Sequence, residues 1–260
     1  MLSSRLSLAS RSQPVYNERA PKPVNEDKLI HSPRLRRQWQ LFEQRQYRTA
    51  LAQAMLMIEY LQGADLRDGL HLIGMTHYRL GQYDQSADWL GRACHGSEES
   101  ADWLNLAVAA VLAGRVDQSE DAFAQVRICQ QAAKHAQPPG LYRQMLWYAE
   151  ALTQGNEFDP LWPLMDELAS AYRHIRSTDV VSLYVANMPF LSTFLELSQR
   201  AWRRAGLASE MRDWLQGLAD GLDPEGAGRV MRVIQQLDGS PASGLANKDS
   251  NSLRFPVKGL

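Results

Sequence analysis

The chain has 260 residues, 28 Lys plus Arg against 29 Asp plus Glu, and an apolar fraction of 45%, which is enough to bury a core and excludes a wholly disordered polymer. No run approaches the roughly 18 apolar residues of a membrane-spanning helix, and two cysteines, Cys94 and Cys129, are too few for a disulfide framework or a four-thiolate zinc site. Residues 1–40 carry eight basic and three acidic side chains, so the remainder is mildly acidic and lacks the clustered Lys/Arg face needed to neutralise nucleic-acid phosphates.

Residues 1–33 contain four prolines, several Ser and Arg and no sustained apolar period, which predicts a flexible basic arm. Arg5 and Arg11, five serines and no acid in the first twelve residues resemble a mitochondrial presequence; the expected location is cytoplasmic, with the mitochondrion as the alternative. Beyond the arm, apolar residues recur at three- and four-residue steps and alternating β-branched runs are missing, so the expected class is all-α. Gly63, Gly81, Gly96, Gly114, Pro138-Pro139, Gly155 and Asp223-Pro224 fall between the periodic stretches and mark the corners.

The spacing predicts a first helix ending near Leu41-Phe42 and a turn at Arg45-Gln46-Tyr47. Ala50, Leu51 and Ala54 then lie on a second helix, and further helices cover 67–97, 100–130, 141–172, 178–205, 208–221 and 224–237. The expected division is an arm at 1–33, repeats at 34–132, divergent repeats or capping helices at 138–238 and a flexible tail at 239–260. The tail carries one short apolar patch, Leu253, Phe255 and Val257.

An internal repeat sets the architecture. Leu80-Gly81-Gln82-Tyr83-Asp84-Gln85-Ser86 recurs as Ala113-Gly114-Arg115-Val116-Asp117-Gln118-Ser119, a shift of 33 residues. Leu70 with Trp103, Ile73 with Leu106, Gly74 with Ala107, Leu90 with Phe123 and Ala93 with Val126 keep the same register. Small Gly74 and Ala107 would let two helices approach closely, with Tyr83 and Leu90 filling their interface. This pattern resembles the tetratricopeptide repeat (TPR) family over about residues 35–130, most clearly at 67–97. The resemblance implies a helical-hairpin solenoid, a right-handed superhelix, extended by additional C-terminal helices. The alternative is an irregular α-helical bundle in which the echo is accidental.

In that family the first helix of each repeat lines a concave groove. Carried over, the groove would offer Leu35, Trp39 and Phe42, then His71, Met75, Tyr78 and Arg79, then Asn105, Val108, Val111 and Leu112. This set is more apolar than charged and suits an amphipathic helix or an extended hydrophobic segment. Only Arg79 and Asn105 could help grip a carboxylate. If the C-terminal helices fill the groove, the same residues become core.

No metal, nucleotide or nucleophile signature is present. Histidines 31, 71, 77, 95, 135 and 174 are scattered, Cys94 and Cys129 read as packed thiols, and Asp65, Asp68, Glu98 and Glu99 read as solvated helix-start acids. The expectation is a non-enzymatic protein-protein interaction module without cofactor or metal, with self-association open, and without nucleic acid or an integral membrane span. The resemblance extends to bacterial adaptors and chaperones of secretion or surface assembly. The alternative is a permanent structural subunit of a large complex, docking through its arm and outer face with Trp89, Trp162 and Trp202.

Overall fold

The computed structural model describes residues 32–132 and 140–239, and every regular element within them is helical. A 3-10 turn at Pro33–Leu35 leads into α1 (Arg36–Glu43) and α2 (Tyr47–Met57). A second 3-10 turn, Ile58–Tyr60, precedes α3 (Gly63–Arg79) and α4 (Tyr83–Cys94), which are followed by α5 (Ser100–Leu112) and α6 (Val116–Ala132). The C-terminal half holds α7 (Leu141–Gly155), α8 (Leu161–Ile175), α9 (Val180–Val185), α10 (Leu191–Ala205), α11 (Ala208–Ala219) and α12 (Pro224–Gly239). Among the described residues no helix is long and apolar enough to cross a membrane. The expected arm at 1–31 and the tail beyond Gly239 lie outside the described residues. Ser32 and Pro33, expected in the arm, belong to the helical body: the Ser32 amide donates to Asp68 at 2.8 Å.

From α1 to α8 each helix packs against the next in chain order. The first helices of successive pairs also meet, α1 with α3, α3 with α5 and α5 with α7. The packing continues with α10 against α7, α11 against α8 and α10, and α12 against α10 and α11. Among the described residues the C-terminal helices α10 to α12 thus pack against α7, α8 and one another. Gly74 sits where α3 meets α4: a Cβ there would lie 2.7 Å from Leu90 Cγ and 3.1 Å from the Leu90 backbone nitrogen. Ala107, one repeat on, is fully buried.

One turn geometry recurs at the ends of α1, α3, α5, α7, α9 and α10. In each, the first or second residue after the helix adopts a left-handed conformation: Arg45, Gly81, Gly114, Asn156, Asn187 and Gly206, with φ between 53° and 74°. The next amide then reaches back five residues, from Gln46 to Leu41, Gln82 to His77, Arg115 to Ala110, Glu157 to Leu152, Met188 to Leu183 and Leu207 to Trp202. This is the Schellman arrangement, which satisfies carbonyls left open at a helix end. Arg45 is the costly member, because an L side chain resists left-handed φ by about 1–2 kcal/mol. Arg45 is exposed, so Arg45→Gly is expected to stabilise the fold by about 1 kcal/mol, seen as a higher urea midpoint with an unchanged slope.

The stretch expected as one helix over 178–205 is two. Asn187 turns left-handed and Pro189, which has no amide to donate, interrupts the ladder before α10 begins at Leu191. The start of α12 follows its sequence: the Asp223 carboxylate accepts from the Gly226 amide at 2.6 Å and also from the Thr178 amide and hydroxyl. Burial opposes ionisation of Asp223, but these hydrogen bonds outweigh it and hold the carboxyl below its ordinary range.

Candidate partner-binding surfaces

Nine of the proposed groove side chains are buried: Leu35, Trp39, Phe42, His71, Met75, Tyr78, Asn105, Val108 and Val111. Arg79 and Leu112 are half-buried. Trp39 and His71 face the seams between successive first helices, and a repeated polar device holds them there. Across the α1–α3 seam, the Trp39 indole nitrogen donates to both Asp68 oxygens at 3.2 Å. Across the α3–α5 seam, His71 Nδ1 lies 3.1 Å from Asp102 Oδ1. Each carboxylate takes a second donor from a segment outside its own helix, Ser32 N ahead of α1 for Asp68 and Ser97 Oγ at 2.7 Å ahead of α5 for Asp102. Asp68, expected as a solvated cap, is thus a seam acceptor.

The rings along this face also touch. Trp39 meets Phe42 edge-on at 5.6 Å and His71 at 6.2 Å. Tyr78 packs on Tyr83 at 5.5 Å. Further along, a Cβ on Gly155 at the end of α7 would lie 2.9 Å from Val111, so α7 closes over that position. The third seam uses amides and hydroxyls: Gln144 on α7 donates to Ser100 on α5 at 2.9 Å, and Gln130 on α6 bridges both.

The Asp102–His71 geometry is that of an acid-base dyad, but its setting is a core. The side chains are 4% and 8% exposed, and His71 Nε2 meets the Asn105 amide nitrogen at 3.3 Å. A substrate would have to open the helix seam to reach it. Among the described residues no group of three or more His, Cys, Asp and Glu side chains is placed to hold a metal ion. Cys94 is buried, and burial together with the nearby acids Glu99 and Glu98 pushes the half-buried Cys129 thiol up, away from the reactive thiolate.

Two of the three tryptophans assigned to an outer docking role, Trp162 and Trp202, pack together. Trp162 stacks on Trp202 at 4.4 Å, Trp202 is buried and lies 6.1 Å from Trp214, and Phe158 stacks on Trp162 from the other side. Phe194 links Trp214 to Tyr172, whose hydroxyl donates to the Pro189 carbonyl at 2.7 Å. This aromatic cluster joins α8, α10 and α11. Trp89 is half-buried, with the Arg92 guanidinium 4.3 Å from its ring centre.

The exposed apolar surface lies elsewhere. Within eleven residues, Val180, Val181, Tyr184, Val185 and Phe190 are exposed, Val181 by 70% and Val185 by 75%. Leu183 and Met188 between them are buried and anchor the segment. At the front of α9, Asp179 accepts from the Val181 and Ser182 amides and from Ser177 Oγ, bonds that hold its carboxyl well below the usual range. A second, smaller exposed set, Met55, Leu56 and Tyr60, lies at the end of α2 and the turn that follows it. The sequence held a signal for the larger patch: Val180, Val181, Leu183, Tyr184 and Val185 surround a six-residue helix, and such a helix can bury only one side of itself.

No protein-family model, curated protein or solved structure matches the chain.

Proposed function

We propose that the protein is a non-enzymatic protein-protein interaction module, a TPR-like row of helical hairpins that docks other chains. The chain-order packing from α1 to α8, the contacts between successive first helices and the shared hairpin turn support the TPR-like solenoid reading. The observation that carries the functional reading is the exposed apolar face of α9: contiguous apolar exposure at that density marks a contact surface. The burial of the groove residues favours docking through an outer face, as a structural subunit or adaptor would, over capture of a client in the concave groove.

A photo-crosslinking residue placed at Val185 in the native cell tests this. A discrete protein adduct from Val185, with none from the exposed Glu120 on α6, is the expected outcome. Equal labelling at both positions, or none at Val185, would sink the reading.

A further inference from the structure

Resting on that reading, we propose that the exposed face of α9 is the docking site for an acidic amphipathic helix of a partner protein. The platform is fixed on three sides. Asp179 caps the front of α9, the Met188 amide closes its back onto the Leu183 carbonyl at 2.9 Å, and a Cβ on Gly140 would lie 2.7 Å from the Asn187 Cβ, so the start of α7 abuts the turn. A side-chain array held this way binds without first paying to order itself.

The charge around the patch selects its occupant. The Arg143 guanidinium stands 5.9 Å from the Tyr184 ring centre, and Arg176 is exposed just ahead of α9. Neither forms an ion pair among the described residues. Two carboxylates stand at the front of α9, and both are turned onto helix-start donors: Asp179 accepts from Ser177 Oγ and the Val181 and Ser182 amides, and Asp223 from Thr178 and the Gly226 amide. The first turn of α7 beside Asn187 holds no acid and no side-chain cap, so its partial positive charge adds to that of Arg143. An apolar surface with this rim favours apolar side chains flanked by Asp or Glu.

The competing occupants fit less well. A second copy would have to build on an α9 only about 9 Å long, short of the roughly 800 Å² per partner that a stable dimer buries. The chain's own apolar segment at Leu253, Phe255 and Val257 is interleaved with Arg254 and Lys258, charges of the wrong sign. Two or three turns of a partner helix, presenting apolar residues at i, i+3, i+4 and i+7, match both the length and the charge.

The test uses the full chain and two labelled synthetic 14-residue helices with leucines at those positions, one with Glu and one with Lys at all flanking sites, read by fluorescence anisotropy. The acidic peptide is expected to bind about tenfold more tightly than the basic one at low salt, with the preference shrinking as salt rises. Val181→Asp with Val185→Asp, and separately Arg143→Glu, are each expected to lower acidic-peptide affinity about tenfold. Far-UV circular dichroism should stay unchanged, since these side chains are exposed or half-buried. Equal binding of the two peptides, lost in the valine variant, would overturn the acidic partner and leave α9 as a contact surface. If neither peptide binds, the proposal fails. A dimer dissolved by Val185→Asp would then assign the face to a second copy, and binding that appears only with Leu253→Asp and Phe255→Asp would assign it to the tail.

Discussion

Trp39→Ala is expected to lower the stability of the fold by about 3–5 kcal/mol, the range for emptying a buried aromatic site. Trp39 is 3% exposed, sets its edge against Phe42 and supplies the indole donor to Asp68 across the α1–α3 seam. Alanine would remove both the ring and that donor, while the Ser32 amide ahead of α1 would still donate to Asp68. Equilibrium urea unfolding followed by circular dichroism measures the loss as a fall in midpoint at near-constant slope. Trp39→Phe, which keeps most of the volume and loses the N–H, should fall between the two. A Trp39→Ala protein as stable as the parent but unable to hold a partner would return this position to the groove role that the tetratricopeptide resemblance implies.

The outcome at Trp39 bears on how far residues can be read without coordinates. The all-helical class and the corners at Gly81 and Gly114 were legible because glycine both breaks the apolar period and supplies the left-handed residue the turn needs. Arg45 and Asn187 make the same turn without glycine, so the hairpin after α1 looked weak and the break after α9 was missed. The groove list picked out apolar helix faces, and the structure buries nine of its eleven side chains. Periodicity reports only that a face is apolar, and a face pressed against the next helix looks the same as one open to a partner.

The seams were less legible still. Asp68 and Asp102 sit near helix starts, where acids are ordinarily solvated, and nothing in the local pattern says that a ring nitrogen 29 residues back, Trp39, or 31 residues back, His71, will meet them. Trp162 and Trp202 illustrate the converse error. Isolated tryptophans on amphipathic helices look like docking residues until α8 and α10 are placed side by side and the rings stack. The α9 patch left a signal that reading 178–205 as one helix passed over, because its apolar residues outnumber the buried positions a single short turn can offer.

His71→Leu with Asp102 retained is expected to destabilise the protein by about 3–5 kcal/mol, the range for leaving a buried carboxylate without one of its partners. The loss arises from a carboxylate kept in the core with Ser97 Oγ as a donor while the imidazole is gone. The leucine also abandons the Asn105 amide that faced His71 Nε2. If the pair locks α3 to α5 as a unit, replacing both members, His71→Leu with Asp102→Leu, should recover at least half of that loss, because the buried charge leaves with its partner. Full recovery is not expected, since the Asn105 amide would lose His71 Nε2 and the Ser97 hydroxyl would lose its acceptor while still accepting from the Glu99 amide, at about 1–3 kcal/mol for each buried group left short. A double-mutant cycle reads the lock as a coupling of about 2 kcal/mol or more. Strictly additive losses would mean that the two side chains stabilise α3 and α5 separately, and that the recurring ring-to-carboxylate contact at Asp68 and Asp102 is a coincidence of packing rather than the device that sets one hairpin on the next.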